Sequence, residues 1–228
     1  RISAQVSLDL ADGVDMHLWA SEDLMADPVA LSMDNKGRAW VAITRRSNNS
    51  EFDIRPYPHW LTDSIAMETN EDRREFLHKT FAADKNLTEK DVPDRNEDGV
   101  HDWQDLAVVK EQVLQVSDTT GDGRADRAQT FLEDFNSEIT DVLGGIYYDN
   151  HTDDLFLAVA PNAWRVKDTD NDGVVDEKLA ISDGFGVHVG FSGHGMSGIT
   201  KGPDGRIYYG IGDIGSHITD VDGNEYPY

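Results

Sequence analysis

The sequence has no cysteine among its 228 residues. It therefore contains no disulfide, no thiolate metal site, no cysteine nucleophile and no covalently attached c-type haem. Cations are also scarce, because 20 lysines and arginines stand against 44 aspartates and glutamates, for a formal net charge of −24. So acidic a surface repels phosphate backbones and anionic lipids, and we predict neither nucleic-acid binding nor electrostatic attachment to a membrane.

Long apolar runs are missing as well. No stretch approaches the roughly 18–20 apolar residues of a membrane-spanning helix, so no span is predicted. The chain begins at Arg1 without an initiator methionine or a signal-like apolar segment, which indicates a processed or partial product. Hydrophobic residues nevertheless make up 38% of the sequence, which is enough to build a packed core.

The acidic residues are concentrated in three loops that share the pattern D-x-[DNT]-x-D-G-x-x-D. Calcium takes about six to eight oxygen ligands, and oxygens at loop positions 1, 3 and 5 converge when the glycine at position 6 permits a tight turn. Position 7 offers a backbone carbonyl and position 9 a further side chain. The predicted calcium ligands are Asp94, Asn96, Asp98, Val100 and Asp102 in the first loop, Asp118, Thr120, Asp122, Arg124 and Asp126 in the second, and Asp168, Asp170, Asp172, Val174 and Asp176 in the third.

The three loops differ at position 12. Only the first has an acid there, Asp105, which makes it the nearest to a complete EF-hand loop; the others have Gln129 and Leu179. The second loop is the weakest, because Thr120 replaces a carboxylate. A solvated Asp/Gly turn is the alternative interpretation of any single loop, but three loops with the same glycine placement favour calcium.

The sequence also repeats itself. The second and third loops begin fifty residues apart, and their flanks, 113–117 with 163–167 and 127–131 with 177–181, correspond at the same offset. Their alternating or β-branched character predicts strand, calcium turn, strand. A second unit of strand, turn and strand occurs three times, around the turns at 34–38, 149–154 and 202–206.

Two alternating hairpin types with a period near fifty residues predict an all-β fold, a β-propeller of four-stranded blades. Residues 1–228 are interpreted as its N-terminal portion, with about three of six blades. Because a half-propeller would expose strand edges, the other blades are expected from further sequence or from another chain. A sandwich of unrelated hairpins is the alternative.

An insertion is predicted within residues 45–112, because the first two copies of the second unit are too far apart for one blade. It contains the first acidic loop and a helix over about 71–83, whose start is marked by a capping box of Thr69 and Asp72. Residues 106–110 fit either a short helix or the beginning of the next strand.

The stretch from His194 to Gly215, which contains GPDGRIYYGIGD, resembles the soluble quinoprotein glucose/sorbosone dehydrogenases. It is still more similar to the "membrane-bound dehydrogenase" propeller domains of planctomycete-type haem-binding proteins. Those domains share the opening LWASE at 18–22, the DPVAL at 27–31 and the D-T-D-G-D-G-x-x-D turns. The resemblance covers most of the chain except the insertion.

The resemblance implies oxidation of a sugar or another alcohol by pyrroloquinoline quinone (PQQ), held with calcium near the propeller axis, with electrons passing to a cytochrome. It implies that His194, eight residues before Gly202, is the base that removes the hydroxyl proton, and that Asp213 orients it. Ser197 stands where the family has glycine. The cationic contacts to the quinone are expected from later blades.

Other interpretations remain open. His194 could be a packed residue of a glycine-rich turn, or His188, His194 and His217 could bind a transition metal, although their spacing matches no standard motif. The whole protein could be a non-catalytic propeller that serves as a binding or scaffold subunit of an extracytoplasmic assembly, or a calcium-dependent adhesion or spacer module. Loops that bind calcium weakly predict a periplasmic or extracellular location, where free calcium is high.

Overall fold

A computed structural model describes residues 9–47, 49–220 and 222–227. The fold is mostly β, with 32% strand and 12% helix. Among the described residues, no helix has the length and apolarity needed to cross a membrane. The strands are β1 (Pro28–Met33), β2 (Ala39–Ile43), β3 (Glu111–Ser117), β4 (Arg127–Asp134), β5 (Gly145–Asp149), β6 (Asp154–Val159), β7 (Asn162–Lys167), β8 (Glu177–Phe185), β9 (Met196–Lys201), β10 (Ile207–Ile211), β11 (Ser216–Thr219) and β12 (Glu225–Pro227).

The strands pair in antiparallel sheets. The first sheet has the order β1-β2-β3-β4, the second has the order β12-β11-β8-β7-β6-β5, and β9 pairs with β10 in a separate hairpin. The third predicted blade is therefore divided, because β11 pairs with β8 rather than with β10. Gly184 permits that pairing, since a Cβ atom there would lie 1.8 Å from the carbonyl oxygen of His217. The predicted hairpins are present, but a propeller is not evident from this topology.

The first strands of the three hairpin units lie side by side, with β5 in contact with both β1 and β9. The amide of Tyr148 donates to Ser32 Oγ at 2.9 Å, and the amide of Gly198 donates to the carbonyl of Gly144 at 3.3 Å. Because the three strands run in the same direction, the connections divide between two edges of the structure.

One edge carries the connections that follow odd-numbered strands up to β9, and we call it the turn edge. Its neighbouring turns meet directly: the amide of Asn35 donates to Asn150 Oδ1 at 2.6 Å, and Lys201 Nζ donates to Asp149 Oδ2 at 2.6 Å. The connections after β2, β4, β6, β8 and β10 leave at the opposite edge, which we call the loop edge. The insertion belongs to the loop edge.

The insertion occupies residues 44–110, between β2 and β3. Its helices and 3-10 turns are α1 (Leu61–Ile65), α2 (Asn70–Thr80), Pro58–Trp60, Ala83–Lys85 and Trp103–Ala107. The predicted helix is confirmed as α2, with the capping box in place: the amide of Asp72 donates to Thr69 Oγ1 at 3.1 Å, and that of Thr69 donates to Asp72 Oδ2 at 2.8 Å. Residues 106–107 end the 3-10 turn Trp103–Ala107, residues 108–110 lie in neither a helix nor a strand, and β3 starts only at Glu111.

Two apolar clusters explain how these parts pack. Between the first two sheets, Trp40 stacks on Tyr148 and meets the edge of Phe131, each at a centroid distance of 4.9 Å. The insertion has its own core around Trp60, Leu77 and Phe81, and that core includes Ile139 and Val189 from the connections after β4 and β8. The insertion therefore packs onto the loop edge and covers part of it.

A buried cation joins the insertion to the sheets. Arg46 is fully buried, and its guanidinium donates to four backbone carbonyls at 2.7–3.1 Å, those of Leu106, Val109, Ser137 and Thr140. Burial lowers the pKa of Arg46 to about 10, and the nearby carboxylate of Glu111 opposes that shift. The guanidinium therefore remains charged at neutral pH, and its hydrogen bonds compensate for its lost hydration.

We expect Arg46→Ala to lower the free energy of unfolding by roughly 3–5 kcal/mol, because four carbonyls lose their hydrogen-bond donor and the buried Glu111 loses an opposite charge. Urea denaturation measures the change. The control is Arg45→Ala, an exposed neighbour whose guanidinium contacts Gln112, and it should cost less than about 0.5 kcal/mol. Equal losses in the two variants would contradict the structural role of Arg46.

Candidate functional site

The second and third acidic loops connect β3 to β4 and β7 to β8, so both lie at the turn edge. The first lies within the insertion. All three share one hydrogen-bond scheme, in which the position-1 aspartate accepts the amide of the position-6 glycine and the position-5 aspartate accepts the amide of position 7. The pairs are Gly99–Asp94, Gly123–Asp118, Gly173–Asp168, Val100–Asp98, Arg124–Asp122 and Val174–Asp172, at 2.8–3.0 Å. The scheme needs glycine at position 6, where φ is +85 to +89°.

In the third loop, carboxylate oxygens of Asp168, Asp170 and Asp176 lie within 4.8 Å of one another. Hydrogen bonds from the amide and hydroxyl of Thr169, both 2.7 Å, hold the pKa of Asp176 below its usual range. Three ionised carboxylates this close repel one another unless a cation lies between them. Their oxygens are the donor type that calcium prefers.

The second loop does not bring its acids together in this way. Both oxygens of Asp118 accept amides of their own loop, as do those of Asp168 in the third loop, but Asp118 Oδ1 also accepts the Thr120 hydroxyl at 3.2 Å. Asp126 accepts from the amide and hydroxyl of Thr119 at 2.9 and 2.8 Å. The threonine at position 3 thus donates to a carboxylate of its own loop, which fits the expectation that this loop is the weakest.

The first loop has a buried side-chain oxygen without a partner. Asp94 Oδ1 is buried and has no hydrogen bond among the described residues, while Oδ2 of the same carboxylate accepts from Gly99. At position 3, Asn96 Oδ1 accepts the amide of Asp98 at 3.1 Å, and Asn96 Nδ2 donates to Asp98 Oδ2 at 3.0 Å. Asp94 Oδ1 is thus the oxygen of this loop best placed for a cation.

Asp105, the predicted position-12 ligand, accepts hydrogen bonds from the backbone of its own loop. It is fully buried, and its oxygens accept the amides of Arg95 at 2.7 Å, Asn96 at 3.2 Å and Asp102 at 3.0 Å. Asp102, at position 9, caps the turn Trp103–Ala107 by accepting the amide of Gln104. Both acids therefore hold the loop closed through its backbone.

His194 and Asp213 lie together at the loop edge, in the connections before β9 and after β10. The distance from His194 Nδ1 to Asp213 Oδ1 is 3.2 Å, and the two side chains are 59% and 39% exposed. Gly212 allows the approach, since a Cβ atom there would lie 1.8 Å from the carbonyl oxygen of His194. Among the described residues His194 Nε2 has no hydrogen-bond partner, so this nitrogen is open to a group that approaches from solvent.

Two carboxylates hold the turn that carries His194. Asp213 Oδ2 accepts the amide of Phe191 at 3.2 Å. Glu51, from the insertion, accepts the Ser192 hydroxyl at 2.6 Å and the Gly193 amide at 3.1 Å. Glu51 is 8% exposed, and burial raises its pKa. Glu51 is not recognisable from the sequence, because no motif or spacing connects it to His194.

The surroundings of His194 are acidic. Arg55 lies 5.2 Å from the centre of the Phe191 ring, but its guanidinium pairs with Asp53. Hydrogen bonds from Arg55 lower the pKa of Asp53 to about 2, so both groups are charged at neutral pH. With Glu51 and Asp213 also nearby, the described groups around the imidazole carry net negative charge.

The structure does not bring the three histidines together. His188 Nε2 lies 3.1 Å from the carbonyl of Met67, and His217 Nδ1 lies 3.1 Å from the carbonyl of Glu68. Within the described residues, the group of three acid or histidine side chains suited to a metal ion is the one in the third loop. A three-histidine site has no geometric support.

Comparison with known proteins places the chain in a family. The profile of the family described as "Domain of unknown function (DUF7133)" matches residues 3–226. The chain belongs to this family. No curated protein and no solved structure matches it. The function of this DUF7133 domain therefore has to be argued from its own geometry.

The raised pKa of Glu51 has a consequence for stability. An acid with a raised pKa in the folded state stabilises most at low pH, and this contribution is lost as pH rises through the folded pKa. We therefore expect the free energy of unfolding of wild type, measured with urea, to rise relative to that of Glu51→Gln as pH falls from neutral towards 4.5, the pKa of Glu51 in the unfolded chain. The control Glu133→Gln alters an exposed acid and should show no such trend; parallel curves for both variants would contradict the prediction.

Proposed function

We propose that this DUF7133 domain is part of an extracytoplasmic, calcium-binding β-propeller that uses His194 and Asp213 to act on a hydroxyl group of a sugar or another alcohol. The propeller is supported by the side-by-side arrangement of β1, β5 and β9, which is how the inner strands of neighbouring blades lie. It is also supported by the exposed apolar face of β1, where Val29, Leu31 and Met33 are 47–64% exposed and where a further sheet would pack.

A repeated contact also favours blades. The amide of Val175, in the third loop, donates to the carbonyl of Phe131 on β4 at 3.0 Å. Fifty residues earlier, the amide of Ala125 donates at 2.7 Å to the carbonyl of Trp19. The segment around Trp19 therefore contacts the second acidic loop in the same way as β4 contacts the third. This equivalence is expected if an outer strand of a further blade lies there.

The calcium part of the proposal depends on the convergence of Asp168, Asp170 and Asp176. Those three oxygens, with the Val174 carbonyl predicted from the pattern, form a hard-oxygen set. The buried Asp94 Oδ1 makes the first loop the second candidate. Weak calcium sites of this kind function where free calcium is high, which supports a periplasmic or extracellular location.

We expect saturating calcium to raise the melting temperature by about 5–10 °C, because about 100-fold excess over Kd adds about 2.7 kcal/mol. EGTA should reverse the rise. In the variant D168N/D170N/D176N, calorimetric titration should lose one binding event, and stability without calcium should not fall, since repulsion is relieved. The control Asp204→Asn alters another aspartate at the turn edge and should keep every event. Calcium titration without heat or thermal shift in wild type would contradict the proposal.

His194 would act as the base of the proposed reaction. Of the two neutral tautomers of the imidazole, Asp213 favours the one with its proton on Nδ1. The same carboxylate stabilises the imidazolium once Nε2 has taken the hydroxyl proton. The turn of residues 191–194 fixes the direction of Nε2. Because the side chain is 59% exposed, a substrate reaches it without displacing packed residues.

The described residues do not fit PQQ, the cofactor that the resemblance implies. The quinone is an anion with several carboxylates, and the groups beside His194 are Glu51, Asp53 and Asp213, with Arg55 already paired. An anionic cofactor here would need cations from outside the described residues. A cytochrome that accepts the electrons is likewise a proposed partner from outside this chain.

This misfit favours a second candidate function, a non-catalytic propeller that serves as a binding or scaffold subunit of an extracytoplasmic assembly. The same sheets and calcium loops would serve that role. His194 and Asp213 would then be a structural pair that joins the connections before β9 and after β10.

Dye reduction distinguishes the two candidates. For the enzyme, we expect the protein, together with the further segments or partners that supply the cations for PQQ, to reduce an artificial electron acceptor when calcium, PQQ and aldoses or simple alcohols are added. Loss of the base in His194→Asn should lower kcat/KM by about 10²–10⁴-fold. The control His59→Asn changes an exposed histidine of the insertion and should retain activity. Absence of turnover, or equal turnover in both variants, would favour the scaffold.

A further inference from the structure

The insertion contacts the connection between β8 and β9 along most of its length. Successive parts of the insertion meet successive residues of this connection in reverse order. The contacts are Glu51 with Ser192 and Gly193, the Ile54 amide with the Gly190 carbonyl at 3.0 Å, Ser64 Oγ with the amide and carbonyl of Val189 at 3.1 and 3.2 Å, the Met67 carbonyl with His188 at 3.1 Å, and Arg73 with the Gly186 carbonyl at 2.8 Å.

The other side of this connection contacts the strands that follow it. The amide of His188 donates to the carbonyl of Ile214 at 2.8 Å, and that of Gly186 donates to Gly215 at 2.9 Å. The connection is thus held between the insertion and the segment after β10. Its last turn, Phe191 to His194, is the part that carries the proposed base.

Asp213 and Glu51 contact different residues of that turn. Asp213 accepts the amide of Phe191 and lies beside the imidazole, while Glu51 accepts from Ser192 and Gly193. We propose that Glu51 is a positioning residue, which fixes the turn so that His194 Nδ1 lies against Asp213. The inference rests on the proposed role of His194 only for its catalytic consequence.

The imidazole has limited packing support. The His194 side chain is more than half exposed, and its ring meets the Phe191 ring of the same turn at a centroid distance of 5.4 Å, so its orientation depends on how that turn is held. Gly193 has a φ of +77°, a left-handed conformation that its neighbours must hold in place. The hydrogen bond from its amide to Glu51 supplies that constraint directly beside the histidine.

Glu51 is itself held in a charged environment. The charged groups near it include Arg46 and a pair formed by Asp141, from the connection after β4, and Arg73 on α2, 2.7 Å apart. Burial and Asp141 disfavour the carboxylate, whereas Ser192, Gly193 and Arg73 favour it. Because Glu51 is buried, losing its hydrogen bonds to Ser192 and Gly193 would cost free energy.

The test reads the tautomer of His194 by ¹⁵N NMR of the labelled protein, at a pH where the imidazole is neutral. His194→Gln assigns the signals. In wild type we expect well-separated ring nitrogen signals, with the proton on Nδ1 facing Asp213. In Glu51→Ala the two signals should move towards each other, because a loosened turn lets the ring sample both tautomers. Glu51→Gln keeps an acceptor for the Gly193 amide and should stay close to wild type.

Glu138→Ala is the matched control. Glu138 is also 8% exposed and accepts from Arg74 and His78 in the same insertion, but it has no contact with residues 191–194 among the described residues. This variant should lose stability and leave the His194 signals unchanged. Equal His194 signals in Glu51→Ala and Glu138→Ala would overturn the inference.

If Glu51→Ala does not fold, Ser192→Ala decides, because it removes one of the two hydrogen bonds at a half-buried position. It should give a smaller shift in the same direction, and no shift would overturn the inference. The readout needs neither substrate nor cofactor. If the protein is inactive but the His194 ¹⁵N signals shift as expected, only the proposed function is contradicted. If the protein is active but the His194 signals do not shift, only the role of Glu51 is contradicted.

Discussion

The structure at the loop edge depends on the hydrogen bonds of one buried guanidinium. Irregular segments carry backbone carbonyls that no neighbouring strand can satisfy, and burying them unpaired costs free energy. Arg46 satisfies four such carbonyls, from the end of the insertion and from the connection after β4. Glu111, the first residue of β3, supplies the compensating charge and accepts the amide of Leu143. These long connections can therefore pack on the sheets, and the residues around His194 can be built from loops.

The sequence predicts what local physics controls. Alternation locates the strands around the acidic loops, and the position-6 glycines predict their coiled shape, because only glycine readily adopts the required positive φ. Thr69 and Asp72 mark the start of α2 for the same local reason. The joining of His194 to Asp213 came from resemblance to a family, and the geometry agrees with that pairing.

The remaining features depend on contacts between distant residues. Glu51 and Ser192 are 141 positions apart, and neither belongs to a recognisable pattern. The pairing of β11 with β8, which divides the third predicted blade, was not predicted, because it depends on the close approach of His217 to Gly184. Asp105 fits a ligand position by spacing alone, but its burial and its three amide donors are visible only in three dimensions. The spacing of residues thus identifies candidate ligands by type, whereas the packing determines what each side chain contacts.

The insertion leaves the first sheet after β2 and makes polar contacts with the connections that follow β4 and β8. Neighbouring units already touch through β1, β5 and β9, and the insertion adds a second link between the first sheet and the connection that leads to β9. That connection is thereby held by α1 and α2, through Ser64 and Arg73, as well as by its own sheet. The position of His194 therefore depends on the folding of the insertion, although no strand of the first sheet pairs with β9 or β10 among the described residues.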